Sequence, residues 1–274
     1  MKYQLIAMDL DGTLNDDAKR ITEPTRSALM RAQSEGIQIA LASARPLPGL
    51  YRERDALDLQ RRGGLLMAYN GGRIVDAATG AVLHESGMAL DEARQVLRAL
   101  EKMPCTPILD DGVQFYVTDR NGYKVDYECR NNNMRCDEVA NLADFIDFAP
   151  VKILMSVDPP ALPGVQRQIA ALLPEGLTVT QSAPFYLEVL PKAINKGQGL
   201  RDTCRLAGVP LEAAIAFGDA ENDIAMLRAA GMGVAMGNAD ERVKAAADRV
   251  TLDNNHDGIA AALEALLWPA LQEG

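Results

Sequence analysis

The sequence predicts an α/β protein: a doubly wound parallel sheet interrupted by an α+β insertion. Three observations carry this. Both ends of the 274-residue chain alternate continuous apolar runs with amphipathic segments, the pattern of strands buried on both faces and covered by helices. From about residue 84 to 190 the pattern shifts to period-two alternation and irregular spacing. Apolar runs near both ends finish in carboxylates, MDLDG (8–12) and FGDAEND (217–223). In a parallel sheet, ligands bind at such strand tips.

YQLIAM (3–8) reads as the first strand. ITEPTRSALMRAQSEG (21–36) reads as a helix, with Thr22 as N-cap, Pro24 in the first turn and Gly36 past the last. IQIALAS (37–43) and GLLMAYNGG (64–72) are further apolar runs. Between them RERDALDLQRR (52–62) mixes both charges and reads as a solvated helix or loop. In the insertion, DEARQVLRALEKM (91–103) and VQRQIAALL (165–173) read as helices. FYVTD, YKVDYE, VKILMSV, LTVTQS and FYLEVL read as strands of an antiparallel sheet, and Asn131–Asn133 as a loop. The far end runs helix 196–208, strand 213–219, helix 221–231, strand 232–236, helix 239–247, strand 249–252 and an amphipathic closing helix, IAAALEALLWPAL (259–271). The expected boundaries are a discontinuous core, 1–83 and 191–274, and an insertion, 84–190.

A net charge of −10 argues against a broad nucleic-acid face. An acidic chain can still bind a phosphorylated molecule through a metal ion or a placed Lys or Arg. The four cysteines form no C-x-x-C and accompany no histidine cluster, which argues against zinc and against a secreted disulfide framework. Asp9 interrupts the first apolar run too early for a signal segment or a membrane span. The expectation is a cytoplasmic protein with reduced thiols, no membrane partner, and a monomer or homodimer.

Asp9 and Asp11 end the first strand and are followed by Gly12, which permits a tight turn. Alternation sends both side chains to one side, with Leu10 opposite. Two carboxylates this close need a cation or a shared proton. An EF-hand fails, because Gly12 at its sixth position puts Ala7 at the first and Ala18 at the twelfth. Asp219 ends another strand, and Asn222 and Asp223 open the following helix. Capping alone would explain one such tip; two at one sheet edge point to a site. Ser43 in LASARP sits at a third strand end, where a hydroxyl and backbone N–H groups can hold a phosphate oxygen. Lys196 opens a helix, where the dipole disfavours it unless it faces an anion. GMGVAMG (231–237) lacks the strand–turn–helix context of a dinucleotide site, and no G-x-x-x-x-G-K-[ST] occurs. Neither His84 nor His256 neighbours a Ser or Cys motif, which argues against a triad.

Taken in order, DLDGTL (9–14), LASARP (41–46), NKGQG (195–199) and GDAENDIAM (218–226) resemble the four motifs of the haloacid dehalogenase-like hydrolases. The insertion resembles their C2-type cap. The stretches 182–200 and 218–239 resemble the Cof-type sugar phosphatases. The resemblance implies a Rossmann-like doubly wound parallel sheet core with an inserted α+β cap domain. It implies Asp9 as nucleophile and Asp11 as acid and base. It implies Mg²⁺ held by Asp9, the Asp11 carbonyl and Asp219. Ser43 and Lys196 would bind phosphoryl oxygens, helped by the N–H groups of Leu10 and Ala44, with Asn222 contacting phosphate. Asp223 would support the metal or orient Lys196. The second motif departs from the family's T-T-G-R or T-S-G-R, reading Ala42-Ser43-Ala44-Arg45, which leaves the roles of Ala44 and Arg45 open.

The expected activity is Mg²⁺-dependent hydrolysis of small phosphorylated metabolites, with sugar phosphates foremost, through an aspartyl-phosphate. A phosphosugar mutase and an aspartate-phosphorylated signalling protein are the alternatives. Asp110, Asp111 and Tyr116 are candidates for substrate choice.

Overall fold

The structure, a computed structural model, describes residues 2–269. The chain forms two units, residues 1–44, 50–84 and 195–274 in one and 45–49 and 85–194 in the other. The strands in chain order are β1 (Leu5–Met8), β2 (Gln38–Ala42), β3 (Leu65–Ala68), β4 (Arg73–Asp76) and β5 (Val82–Glu85), then β6 (Thr106–Asp110), β7 (Phe115–Val117), β8 (Cys136–Glu138), β9 (Ile153–Ser156), β10 (Leu177–Ala183) and β11 (Tyr186–Pro191), then β12 (Ala214–Gly218), β13 (Met232–Ala235) and β14 (Arg249–Val250). No described helix is long and apolar enough to cross a membrane.

In the first unit the sheet order is β14-β13-β12-β1-β2-β3-β4-β5. It is parallel from β14 to β3, and β4 pairs antiparallel with β3. Every residue of β1, β3 and β12 is buried, which explains their uninterrupted apolar runs. Leu5, Ala7, Ala40 and Ala216 pack with Leu200, Cys204, Met226 and Leu227 from the helices Lys196–Ala207 and Ile224–Ala229. Ile6, Met8, Ile39 and Leu41 alternate to the opposite face and are also buried. Helix Glu23–Ser34 contacts β2 and packs on the closing helix Gly258–Leu267. Residues 270–271 of the predicted closing run lie outside the described residues.

Several predicted elements differ in the structure. The segment 52–62 forms two short helices, Tyr51–Ala56 and Leu59–Arg62, and Glu53 within it is buried rather than solvated. The predicted helix 239–247 contracts to Glu241–Lys244, N-capped by Asp240, which accepts from the Val243 N–H at 2.9 Å. YKVDYE is not a strand. Lys124 takes a left-handed conformation (φ +58°) and helix Val125–Asn132 follows, burying Val125, Glu128 and Asn132 at helical spacing. Its end is no plain loop, because Asn132 donates to Glu128 Oε1 at 2.8 Å.

The second unit's sheet order is β10-β11-β9-β6-β7-β8, antiparallel except for the parallel pair β7–β8. One face is apolar: Ile153, Met155, Leu187 and Val189 pack with Val96, Leu97, Val165 and Ile169 of helices Leu90–Leu100 and Leu162–Ala170. On the other face, Ile108, Leu154 and Tyr186 pack with Val125. Charge is buried here too. Lys152 Nζ donates to Glu188 Oε1 at 2.6 Å, both side chains nearly inaccessible. Burial and the Glu188 charge raise the pKa of Glu128, against the pull of Lys152 and its hydrogen bonds. Burial works against the charged form of Lys152, but Glu188 and Glu128 outweigh it and hold its pKa above the ordinary value.

Removing one partner of a buried pair leaves an uncompensated charge, whereas replacing both with apolar groups can be nearly neutral. Lys152→Met is therefore expected to destabilise the second unit by about 3–5 kcal/mol in urea denaturation. Lys152→Met/Glu188→Leu should recover most of that loss. Equal losses in the single and double variants would show that the ion pair does not set this stability.

Candidate active site

β1 is flanked by β2 on one side and β12 on the other, so the strand order reverses between β1 and β12. Ligand sites of parallel sheets form at such a reversal, beyond the carboxyl ends of the strands. Asp9 follows β1 and Asp219 follows β12. The Asp9 N–H donates to the Phe217 carbonyl at 3.1 Å, extending the ladder to the strand tips.

The chain then turns sharply. Leu14 N–H donates to the Asp9 carbonyl at 3.2 Å, and Asn15 N–H to the Leu10 carbonyl at 2.8 Å. Gly12 takes φ +84°, and a Cβ there would lie 2.4 Å from Asp219 Oδ2. Glycine thus supplies both the left-handed turn and room for the facing carboxylate. Thr13 Oγ1 donates to Asp219 Oδ1 at 2.6 Å. Asn238 Nδ2 donates to the Gly12 carbonyl at 2.9 Å and reaches Asp219 Oδ2 at 3.5 Å.

Lys196 is fully buried at the start of helix Lys196–Ala207. Its Nζ donates to Asp9 Oδ1 at 2.5 Å and to Asp223 Oδ1 at 2.6 Å. Asp223 Oδ2 accepts the N–H groups of Asp219 and Ala220, each at 3.0 Å. Asp223 therefore braces both Lys196 and the turn after β12. Asp9, Asp219 and Asp223 each offer an oxygen within 4.8 Å of the others, so the three could hold a metal ion.

The remaining predicted residues fall around this cluster or apart from it. Leu10 is buried and its carbonyl anchors the turn. The Asp11 side chain is 37% exposed and pairs with Lys19 Nζ at 2.6 Å. Ser43 is buried beyond β2, its N–H donating to the Met67 carbonyl at 2.9 Å, with Ala44 half-buried beside it. Asn222 is exposed and donates to Asn70 Oδ1 at 3.2 Å, while Asn70 N–H donates to the Ser43 carbonyl at 2.8 Å. Asn70 thus links the second and fourth motifs. Arg45 groups with the second unit, where it donates to the Gly49 and Asn131 carbonyls. Thr13, Lys19, Asn70 and Asn238 went unassigned in the sequence, although DGTL, MAYNGG and AMGNAD contain three of them.

Crowded carboxylates shift one another. Burial pushes the Asp9 pKa up to about 7, with Asp223 and Asp219 adding and Lys196 opposing. Burial likewise raises Asp219 to about 6. For Lys196, burial works against the charged form, but Asp223 and Asp9 outweigh it and hold the ammonium above the ordinary lysine value.

Residues 6–263 match the family model of the haloacid dehalogenase-like hydrolases. The chain belongs to this family. A crystal structure of a haloacid dehalogenase-like hydrolase from Bacteroides thetaiotaomicron is 34% identical, with a TM-score of 0.90 over 96% of this chain and 99% of that one. The pyridoxal phosphate phosphatase YbhA of Escherichia coli is 30% identical, covering 95% of this chain and 97% of its own. The subclass IIB sugar phosphatase BT4131 is 25% identical, with a TM-score of 0.76 over 96% and 98% of the two chains. The fold is thus the Rossmann-like core with an inserted unit, and the chain is a phosphoric monoester hydrolase.

The donor set contains oxygen alone, the preference of hard divalent cations, and Asp9 and Asp219 are raised first by burial and then by their carboxylate neighbours. These carboxyls titrate higher in the fold than in the unfolded chain, where Asp starts from 3.8. They therefore favour the metal-free fold at low pH, and that contribution, fully present below 3.8, is lost as pH rises from there through about 6 for Asp219 and about 7 for Asp9. A bound cation would remove the penalty and must displace those protons. The rise in melting temperature on adding Mg²⁺ should thus be small at pH 5 and grow to pH 8. A rise independent of pH would contradict this site.

Proposed function

We propose that the protein is a Mg²⁺-dependent phosphatase that hydrolyses small phosphorylated metabolites, foremost sugar phosphates, through an aspartyl-phosphate on Asp9. The observation that carries this reading is the buried Lys196 joined to Asp9 and Asp223, with Asp219 facing the same turn across Gly12.

Asp9 and Asp219, with the Asp11 carbonyl, would hold Mg²⁺, and Asp223 would serve chiefly by holding Lys196. When bound, the ion supplies positive charge that allows a carboxylate and a phosphate dianion to approach. A carboxylate oxygen of Asp9 attacks phosphorus as the bond to the leaving oxygen breaks, and Asp11 gives that oxygen its proton. Asp11 then takes a proton from water as the water oxygen attacks phosphorus, releasing inorganic phosphate and restoring the Asp9 carboxylate. Lys196 and Ser43 hold the transferring phosphoryl oxygens, helped by the Leu10 and Ala44 N–H groups, and Asn222 contacts the phosphate. Electrostatic complementarity to that group is the largest contribution expected of the site.

The insertion, read as a cap, supplies the residues that choose the leaving group. Sugar phosphates lead because of the likeness to BT4131, and YbhA makes pyridoxal phosphate the first competitor to test. The free thiols Cys105, Cys129, Cys136 and Cys204 support a cytoplasmic location.

Phosphate release should be measured from a panel of sugar phosphates, pyridoxal phosphate and an aryl phosphate, with Mg²⁺ and with EDTA. Release should vanish in EDTA and fall by at least about 10³-fold in Asp9→Asn. In Asp11→Asn it should fall by about 10²–10⁴-fold, the usual contribution of a positioned acid or base. Acid-quenched single turnovers should carry a phosphoryl adduct on Asp9. Unchanged turnover in Asp9→Asn would overturn the mechanism, and faster release from pyridoxal phosphate than from any sugar phosphate would overturn the substrate class.

A further inference from the structure

Asn15 closes the turn that begins at Asp9, and it is fully buried. Three of its groups are tied. Its N–H donates to the Leu10 carbonyl. Its own carbonyl accepts from Asn254 Nδ2 at 3.0 Å. Its side-chain Nδ2 donates to Glu53 Oε1 at 2.9 Å. The Asn254 N–H donates to Asn238 Oδ1 at 3.2 Å, and Asn238 Nδ2 reaches the Gly12 carbonyl and Asp219 Oδ2. An unbroken hydrogen-bonded path thus runs from Glu53 through Asn15, Asn254 and Asn238 to the turn after β1 and the carboxylate after β12.

The members come from separate segments: the helix Tyr51–Ala56, the turn after β1, and the loops after β13 and β14. Glu53 is only 1% exposed, yet it carries a carboxylate, whose partners are Asn15 and the half-exposed Arg52 at 3.0 Å. Burying that charge costs stability that an apolar side chain at the same place would avoid. Asp219 gains directly from the arrangement. Thr13 holds one of its oxygens and Asn238 the other; Thr13 lies in the turn that Asn15 closes and Asn254 holds through the Asn15 carbonyl, and the Asn238 side chain accepts from the Asn254 N–H.

We propose that Glu53 and Asn254 are positioning residues for the cation site: they fix the Gly12 turn against Asp219, so that the carboxylates meet the ion already oriented. This rests on the reading that Asp9 and Asp219 hold Mg²⁺. A ligand held by outer partners loses less freedom on binding, and removing such partners typically weakens metal affinity by about 10–100-fold.

The test is calorimetric titration of Mg²⁺ into the full chain, with the melting temperature of each protein recorded in EDTA. Glu53→Leu and Asn254→Ala should bind Mg²⁺ about 10–100-fold more weakly. Glu53→Gln keeps an acceptor oxygen for Asn15 Nδ2 and should stay close to wild type. Variants that melt lower in EDTA but bind Mg²⁺ as tightly as wild type would reduce the brace to a structural role and overturn the proposal. So would a Glu53→Gln as weak as Glu53→Leu. Should Glu53→Leu fail to fold, Asn254→Ala decides alone. A wild type that binds no Mg²⁺ would instead remove the cation site itself, a result separable from failure of the brace.

Discussion

The buried ammonium of Lys196 is the constraint on which the first unit's functional edge depends. A lysine removed from water must be paired or lose its proton. Here it is paired twice, with Asp9 beyond β1 and Asp223 beyond β12. Asp223 in turn caps the N–H groups of Asp219 and Ala220. One cation therefore ties together two strand tips and a helix start that are far apart in sequence. It does not balance the charge around it. Three carboxyl groups surround one ammonium, and burial first, then this crowding, raises Asp9 and Asp219, which leaves the site drawn to protons or to a metal ion. The same imbalance would make the site attractive to a hard cation and, once loaded, tolerant of a phosphate.

The insertion solves a separate problem. Its apolar core of helices and sheet is its own, and it buries its own ion pair, Lys152 with Glu188. The candidate site residues Asp9, Asp11, Lys196, Asp219 and Asp223 all belong to the first unit. An insertion placed between β5 and the helix of Lys196 can change its surface without disturbing the carboxylate cluster. This fits a family whose members differ in what they hydrolyse, such as a pyridoxal phosphate phosphatase and a sugar phosphatase.

Legibility in the sequence followed physical locality. The strands of the first unit were readable because β1, β3 and β12 are buried on both faces and carry nothing but apolar residues. The carboxylates were readable because charge immediately after such a run demands an explanation. YKVDYE misled, because alternation over six residues does not distinguish a strand from the first turns of a helix whose buried positions are Val125, Glu128 and Asn132. Glu53 was illegible for another reason. Its surroundings in sequence are charged and solvated, and only the distant Asn15 gives it a buried role. Thr13 and Asn238 sat inside recognisable motifs, but their partner, Asp219, lies 206 residues from one and 19 from the other, so no local pattern announces the contact.

The opening pair of aspartates illustrates how environment divides labour between identical side chains. Strand alternation predicted Asp9 and Asp11 on one side, yet the turn begun at Gly12 gives them different surroundings. Asp9 is buried against Lys196 and raised to about 7 by its desolvation and its acidic neighbours. In the nucleophile's role proposed for it, Asp9 would keep its orientation between turnovers and would be freed for attack when positive charge is brought in. Asp11 stays more than one-third exposed and pairs with Lys19, itself half in water. The acid and base role proposed for Asp11 would call for a route to solvent and a partner that can let go. An exposed lysine on a separate turn meets both needs, whereas a buried one like Lys196 would hold on. The two-residue spacing thus places one carboxylate inside the cluster and the other at its rim, a division of surroundings consistent with the split roles proposed for them.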